Sequence, residues 1–188
     1  MSDLILFISP NLLKKETNLG GSVDDNNLAP AIRMAQDRYI LPALGEKLFE
    51  TLQAGISGAT LDSNEETLLR SYIQPALVFL AYAEALPLIR VRVVNNSVTV
   101  MDSEQSTSAS YADLKPLMNR ALELGQFHLE RLIDYLDNNP TLYPTLDTES
   151  SGEYKRNRRN YTQGLNVDYN PGDRIREAKL RALIGPVY

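Results

Sequence analysis

The chain has 188 residues, no cysteine, one histidine and a formal net charge of −5. That length suits one compact domain with a modest extension. The missing thiols exclude disulfide scaffolds, Cys-ligated zinc, iron–sulfur clusters and thiol catalysis. Charge is unevenly distributed: residues 151–188 hold eight Lys or Arg against four acids, net +4, while residues 1–150 hold eleven against twenty, net −9. The body is acidic and the tail basic.

The longest uninterrupted apolar run, residues 76–83, falls well short of the roughly 20 residues of a membrane span, so a soluble chain without membrane contact is expected. Residues 4–8 are extended and too short for a signal-peptide core. Ser9 followed by Pro10 reads as an N-cap with proline in the first turn, opening a short helix to about Glu16. Residues 18–27, with Gly20, Gly21, Asp24 and Asp25, read as a loop. From about Asn27 the apolar stripe Leu28, Ile32, Ala35, Tyr39 predicts a second helix, ended or kinked by Pro42. Gly45 marks a corner, and residues 46–54 form a further short helix stopped at Gly55.

Ser63 and Glu66 fit a capping box that opens the third major helix. It runs to about Leu86, is apolar on nearly every side, is kinked at Pro75 and ends at Pro87. Residues 88–101 turn to β-rich composition around Asn95 and Asn96 and predict a hairpin. After a Ser-rich stretch at 102–110, the stripe Leu114, Met118, Ala121, Gly125, His128, Leu132, Tyr135 predicts the longest helix, 111–138, with Gly125 as a point of close helix approach. Residues 140–171 lack a helical period and read as an extended arm, followed by a short helix at 173–184. The fold class is therefore mainly α: a helical bundle over 1–139 with one β-hairpin at 88–101, and an extended basic C-terminal arm over 140–188.

Phosphate-binding glycine loops, the nucleophile elbow and the zincin pair are absent. No catalytic residue, metal ligand or cofactor is assigned, and the chain is not expected to be an enzyme. His128 lies on the apolar stripe, where a packed histidine is the ordinary outcome. Asp24 and Asp25 suit a helix cap better than a cation site. The run Lys155, Arg156, Arg158, Arg159, flanked by Tyr154, Tyr161 and Tyr169, is the strongest charge feature. It is open to three readings: a solvated arm, docking on an acidic protein, and nucleic-acid contact by Tyr stacking. Tyr and Arg enrichment favours protein docking, so these residues, with Asn95 and Asn96 of the hairpin turn, are the candidate partner-binding set.

The N-terminal half then shows a familiar pattern: Phe7-Ile8-Ser9-Pro10, Leu19-Gly20-Gly21, and Tyr39-Ile40-Leu41-Pro42-Ala43-Leu44-Gly45. With Tyr72-Ile73-Gln74-Pro75-Ala76-Leu77 and Glu84-Ala85-Leu86-Pro87, it resembles the head–tail connector (adaptor or ring) proteins of tailed bacteriophages, especially crAss-like and other Bacteroidetes phages, over roughly residues 4–145. The resemblance implies a structural virion protein at the neck, made in the host cytoplasm. It would assemble as a dodecameric ring beneath the portal, contact neighbouring neck or tail proteins, and extend a channel through which DNA passes without specific binding. A non-viral helical adaptor or regulatory protein remains an alternative of similar composition, and a carboxylate-dependent enzyme a third, although no acids pair at helical spacing on an apolar face.

Overall fold

A computed structural model describes residues 5–20, 23–94, 97–100, 111–146 and 153–157. The described residues are mainly helical. Ser9 accepts a hydrogen bond from the Leu12 amide and caps α1 (Pro10–Glu16), with Pro10 in the first turn. Asp24 caps α2 (Asp25–Ala35) through the Asn26 amide, two residues before the expected start. Lys14 pairs with Asp25 at 2.6 Å, so both acids of this loop are engaged within the fold.

Pro42 does not end the second helix. The chain widens into a π-helical turn over Gln36–Ile40 and continues as α3 (Leu41–Leu44). Pro75 is met in the same way, by a π-helical turn over Leu69–Ile73 between α5 (Ser63–Leu68) and α6 (Gln74–Arg90). A proline has no N–H, and its ring collides with the carbonyl four residues back. Here the residue before each proline donates five residues back, Leu41 to the Gln36 carbonyl and Gln74 to the Leu69 carbonyl, which keeps the helix going past the ring. The two turns sit in matching Tyr-Ile-x-Pro-Ala-Leu segments, 39–44 and 72–77.

Gly45, at φ 79°, turns the chain into α4 (Glu46–Gly58). This helix does not stop at Gly55. It ends at Ala59, which takes the left-handed conformation, while Gly55 stays helical and is covered by Leu61, 2.6 Å from where a Cβ would stand. The capping box of α5 is displaced by one residue from the expected pair: Asp62 accepts from the Glu65 amide at 2.7 Å and Glu65 accepts from the Asp62 amide at 3.0 Å. Pro87 lies inside α6, which extends to Arg90 rather than ending at Leu86. Strands β1 (Val91–Val94) and β2 (Ser97–Val100) follow, paired antiparallel with Val91 opposite Val100 and Val94 opposite Ser97.

The helix from Ser63 to Ile89 is, by length and mean hydropathy (1.4), apolar enough to cross a membrane, although no single run in it is uninterrupted for that length. In the fold it is the central helix. Ile73, Ala76, Leu77, Leu80, Ala81 and Ala85 are fully buried, with α2 on one side and α7 (Tyr111–Asn138) on another. Leu28, Ala31, Ile32 and Ala35 of α2, and Ala121, Leu129, Leu132 and Leu136 of α7, complete the core. Gly125 of α7 meets Leu80, as the stripe predicts. Beyond α7, a 3-10 turn (Pro140–Leu142) brings Tyr143 and Leu146 back into the core, so burial continues past the expected boundary at residue 139.

Candidate protein-protein interface

Three of the expected partner-binding residues fall among the described residues, and they lie together where the chain returns to the start of α4. The Glu46 amide donates to the Tyr154 carbonyl at 3.0 Å, and the Tyr154 amide donates to the Glu46 carboxylate at 2.6 Å. The Asn157 amide donates to the Pro42 carbonyl at 2.5 Å, and Lys47 pairs with Glu153 at 2.9 Å. Pro42 and Glu46 are available because the Gly45 corner leaves free carbonyl and amide groups at a helix junction. The described part of the arm is thus fastened to its own body.

Arg156 is turned inward: its side chain is only 2% exposed and its guanidinium pairs with the Asp137 carboxylate in the last turn of α7. A buried guanidinium needs such a carboxylate, because removing a charge from water is costly without one. Tyr154, 51% exposed, and Lys155 face outward and remain available. Arg158, Arg159, Tyr161, Tyr169, Asn95 and Asn96 lie outside the described residues, as does the expected helix at 173–184.

The exposed apolar side chains that sequence reasoning missed are elsewhere. Phe127 is 56% exposed and Leu124 38% exposed on the outer face of α7, Met34 stands out from α2, and Leu88 from the last turns of α6. Phe127 was legible: one residue before His128, it falls off the inward stripe and must point away from the core.

His128 is stacked on Phe79, with ring centroids 5.7 Å apart and planes within 5°, and Phe127 meets it edge-on. Burial, assisted by the Arg131 charge, holds its pKa below the usual 6.5, so the ring packs in its neutral form. Among the described residues no acid is positioned to raise its basicity. A shallow groove of about 280 Å³ runs between α1 and α6, lined by Leu12, Pro75, Val78 and Phe79, with Glu16 and Arg70 at its rim. A second hollow of about 240 Å³ continues it toward Leu117 and Leu124 of α7. Among the described residues no group of three or more His, Asp or Glu is placed to hold a metal ion.

Buried polar groups also escaped the sequence reading. Gln36 lies inside the π-helical turn, accepting from the Phe7 amide at 2.9 Å and donating to the Ile5 carbonyl at 3.1 Å, and so clamps the N-terminal segment to the core. Glu84 of α6 accepts from Arg38 at 3.0 Å and from the Tyr39 hydroxyl at 3.1 Å, which fixes α6 against the first π-helical turn. Tyr143 donates to the Asn64 carbonyl at 3.1 Å and stands 3.2 Å from the Tyr135 hydroxyl, in a cluster where Tyr72 and Tyr135 stack at 4.0 Å. Burial pushes the Tyr143 hydroxyl well above its usual pKa, so it stays a donor.

A described family of unknown function, DUF6712, matches residues 40–158. No curated protein and no solved structure gives a significant match. The matched span has a structural counterpart, since its ends meet where Asn157 bonds to Pro42.

Proposed function

We propose that this chain, which belongs to the DUF6712 family of unknown function, is a structural assembly subunit: one copy of a homo-oligomeric, dodecameric ring at the head–tail junction of a tailed-phage virion. The ring sits beneath the portal, contacts neighbouring neck or tail proteins, and extends the DNA channel. We assign it no catalytic role and no cofactor.

The observation that carries this reading is the β-hairpin. It leaves the end of the central helix as two strands, with β1 touching α6 and, among the described residues, no third strand beside it. A two-stranded ribbon is marginal in water and gains stability by pairing or packing further. In this reading it follows on the central helix as the element that engages a neighbouring subunit. The exposed Phe127, Leu124, Met34 and Leu88 are the apolar surface that this reading gives to contacts between subunits.

The same reading gives the acidic body its role. With net −9 over residues 1–150, the wall of such a channel would repel phosphate and let DNA slide. Tyr154 and Lys155, with the basic tail beyond them, are the part assigned to the portal or a neighbour once the ring forms.

Replacing 95–97 with a longer flexible linker tests the carrying observation. Assembly should weaken while the melting temperature of the isolated subunit holds. Equal losses of both would show that the hairpin serves the subunit's own fold and would remove the main support for the reading.

A further inference from the structure

We infer that in the free subunit the tail, residues 158–188, docks on the outer face of α7 of its own chain. This concerns the subunit before any assembly and stands apart from the ring proposal. The first argument is where the described chain leads. Arg156 is pinned to Asp137 in the last turn of α7 and Asn157 to Pro42, so the tail starts beside the C-terminal end of that helix.

The second is what that face presents. Around the exposed Phe127, at 100° per residue, Glu123, Glu130, Asp134 and Asp137 fall on one flank of α7, while Arg120, Leu124 and Arg131 fall on the other. Arg131 is drawn toward the Tyr72 ring, 5.7 Å from its centroid. Among the described residues Asp137 is the acid of this flank with a cation on it, and that cation, Arg156, comes from the segment leading into the tail.

The third is complementarity. Residues 158–188 hold six Lys or Arg against three acids, interleaved with Tyr161, Leu165, Tyr169, Ile175 and Leu180. An acidic flank beside an exposed aromatic is matched by a basic segment with apolar side chains between its charges. Asp137 and Glu123 are 14 residues apart, about 21 Å along the helix at 1.5 Å per residue, well within reach of such a segment. Covalent attachment gives the tail an effective concentration on the order of millimolar at its own α7, which favours this face over that of a second copy in dilute solution. The Arg156–Asp137 pair is then the first rung of a longer contact.

Limited trypsin digestion of the full chain, with cleavage followed by mass spectrometry, tests this. The tail sites after Arg158, Arg159, Arg174, Arg176, Lys179 and Arg181 should be cut about tenfold more slowly in the wild type than in the triple variant Glu123→Gln, Glu130→Gln, Asp134→Asn or in Phe127→Ser. Wild-type protection should be the same at all protein concentrations and fall when salt is raised from about 50 to about 500 mM, with a free peptide of residues 170–188 correcting for salt effects on the protease. All three acids and Phe127 are exposed, so circular dichroism should show the variants folded. Tail cleavage as fast in the wild type as in the variants would overturn the proposal, and so would protection that grows with protein concentration, which would place the tail on a second copy.

Discussion

Replacing Gly125 with alanine should loosen the contact between α6 and α7. A Cβ at that position would stand 2.6 Å from Leu80 Cγ, 2.7 Å from Leu80 Cδ2 and 3.2 Å from the Leu80 backbone nitrogen. Carbon atoms rest at about 3.5–4.0 Å, so roughly 1 Å of movement is demanded. Rotation of Leu80 cannot supply all of it, because the side chain is fully buried and part of the clash is with the α6 backbone. Overpacking of this kind costs about 1–3 kcal/mol. Alanine gives back roughly 1 kcal/mol of helix propensity relative to glycine. The net expectation is a loss of about 0–2 kcal/mol, read as a lower urea midpoint at unchanged slope. Leu80→Ala alone should cost about 2–5 kcal/mol by leaving a cavity. Since the new methyl would partly fill that cavity, the double variant should be more stable than the sum of the two losses by about 1 kcal/mol. A Gly125→Ala protein about 1 kcal/mol more stable than the wild type, the full propensity gain with no clash, or a strictly additive double variant, would refute the close helix approach.

Three further outcomes follow from named contacts. Asp62→Ala should destabilise by about 0.5–2 kcal/mol while Ser63→Ala changes little, and the reverse order in thermal melts would return the capping box to Ser63 and Glu66. Gln36→Leu should strand the buried Phe7 amide at a cost of about 1–3 kcal/mol and speed hydrogen exchange at Phe7 selectively; unchanged exchange there would mean the N-terminal clamp is not formed. Because the folded pKa of His128 lies below 6.5, the unfolded chain takes up that proton first as pH falls. The stability this histidine allows is therefore complete above its ordinary value and declines through and below it. The wild type should lose more stability than His128→Phe between about pH 7 and pH 5, and parallel curves would contradict the neutral stacked ring.

The parts of the fold legible in the sequence were those fixed by local chemistry. Ser9-Pro10 opens α1, the three- and four-residue stripe sets the limits of α7, and the near-continuous apolar surface of residues 76–83 marks the central helix. Local chemistry misled where two solutions satisfy one rule. Asp62 with Glu65 and Ser63 with Glu66 both fit a capping box, and the fold uses the first pair. Pro42 signals an end or a kink, Pro75 a kink and Pro87 an end, yet the helix continues past all three, and a π-helical turn absorbs the first two rings. Gly55 reads as a stop, but it is small because Leu61 covers it.

The candidate interface was legible in charge but not in place. A basic run in an aperiodic stretch looks solvated, and nothing local to Arg156 reveals that Asp137, 19 residues earlier, closes over it. The contacts of 153–157 with Pro42, Glu46 and Lys47 span more than a hundred residues, which no periodicity encodes. The exposure of Phe127 and Met34 was implicit in the stripes, since each is an apolar residue one step off the buried face.

The central claim, a ring-forming connector subunit, is tested most directly by electron microscopy of the purified full chain, alone and with its portal protein, with the particle mass measured on the same sample. The account predicts closed rings of twelve copies with a central channel, seated on the portal and found at the virion neck. A protein that stays monomeric both alone and with the portal, and is missing from the neck, would contradict it.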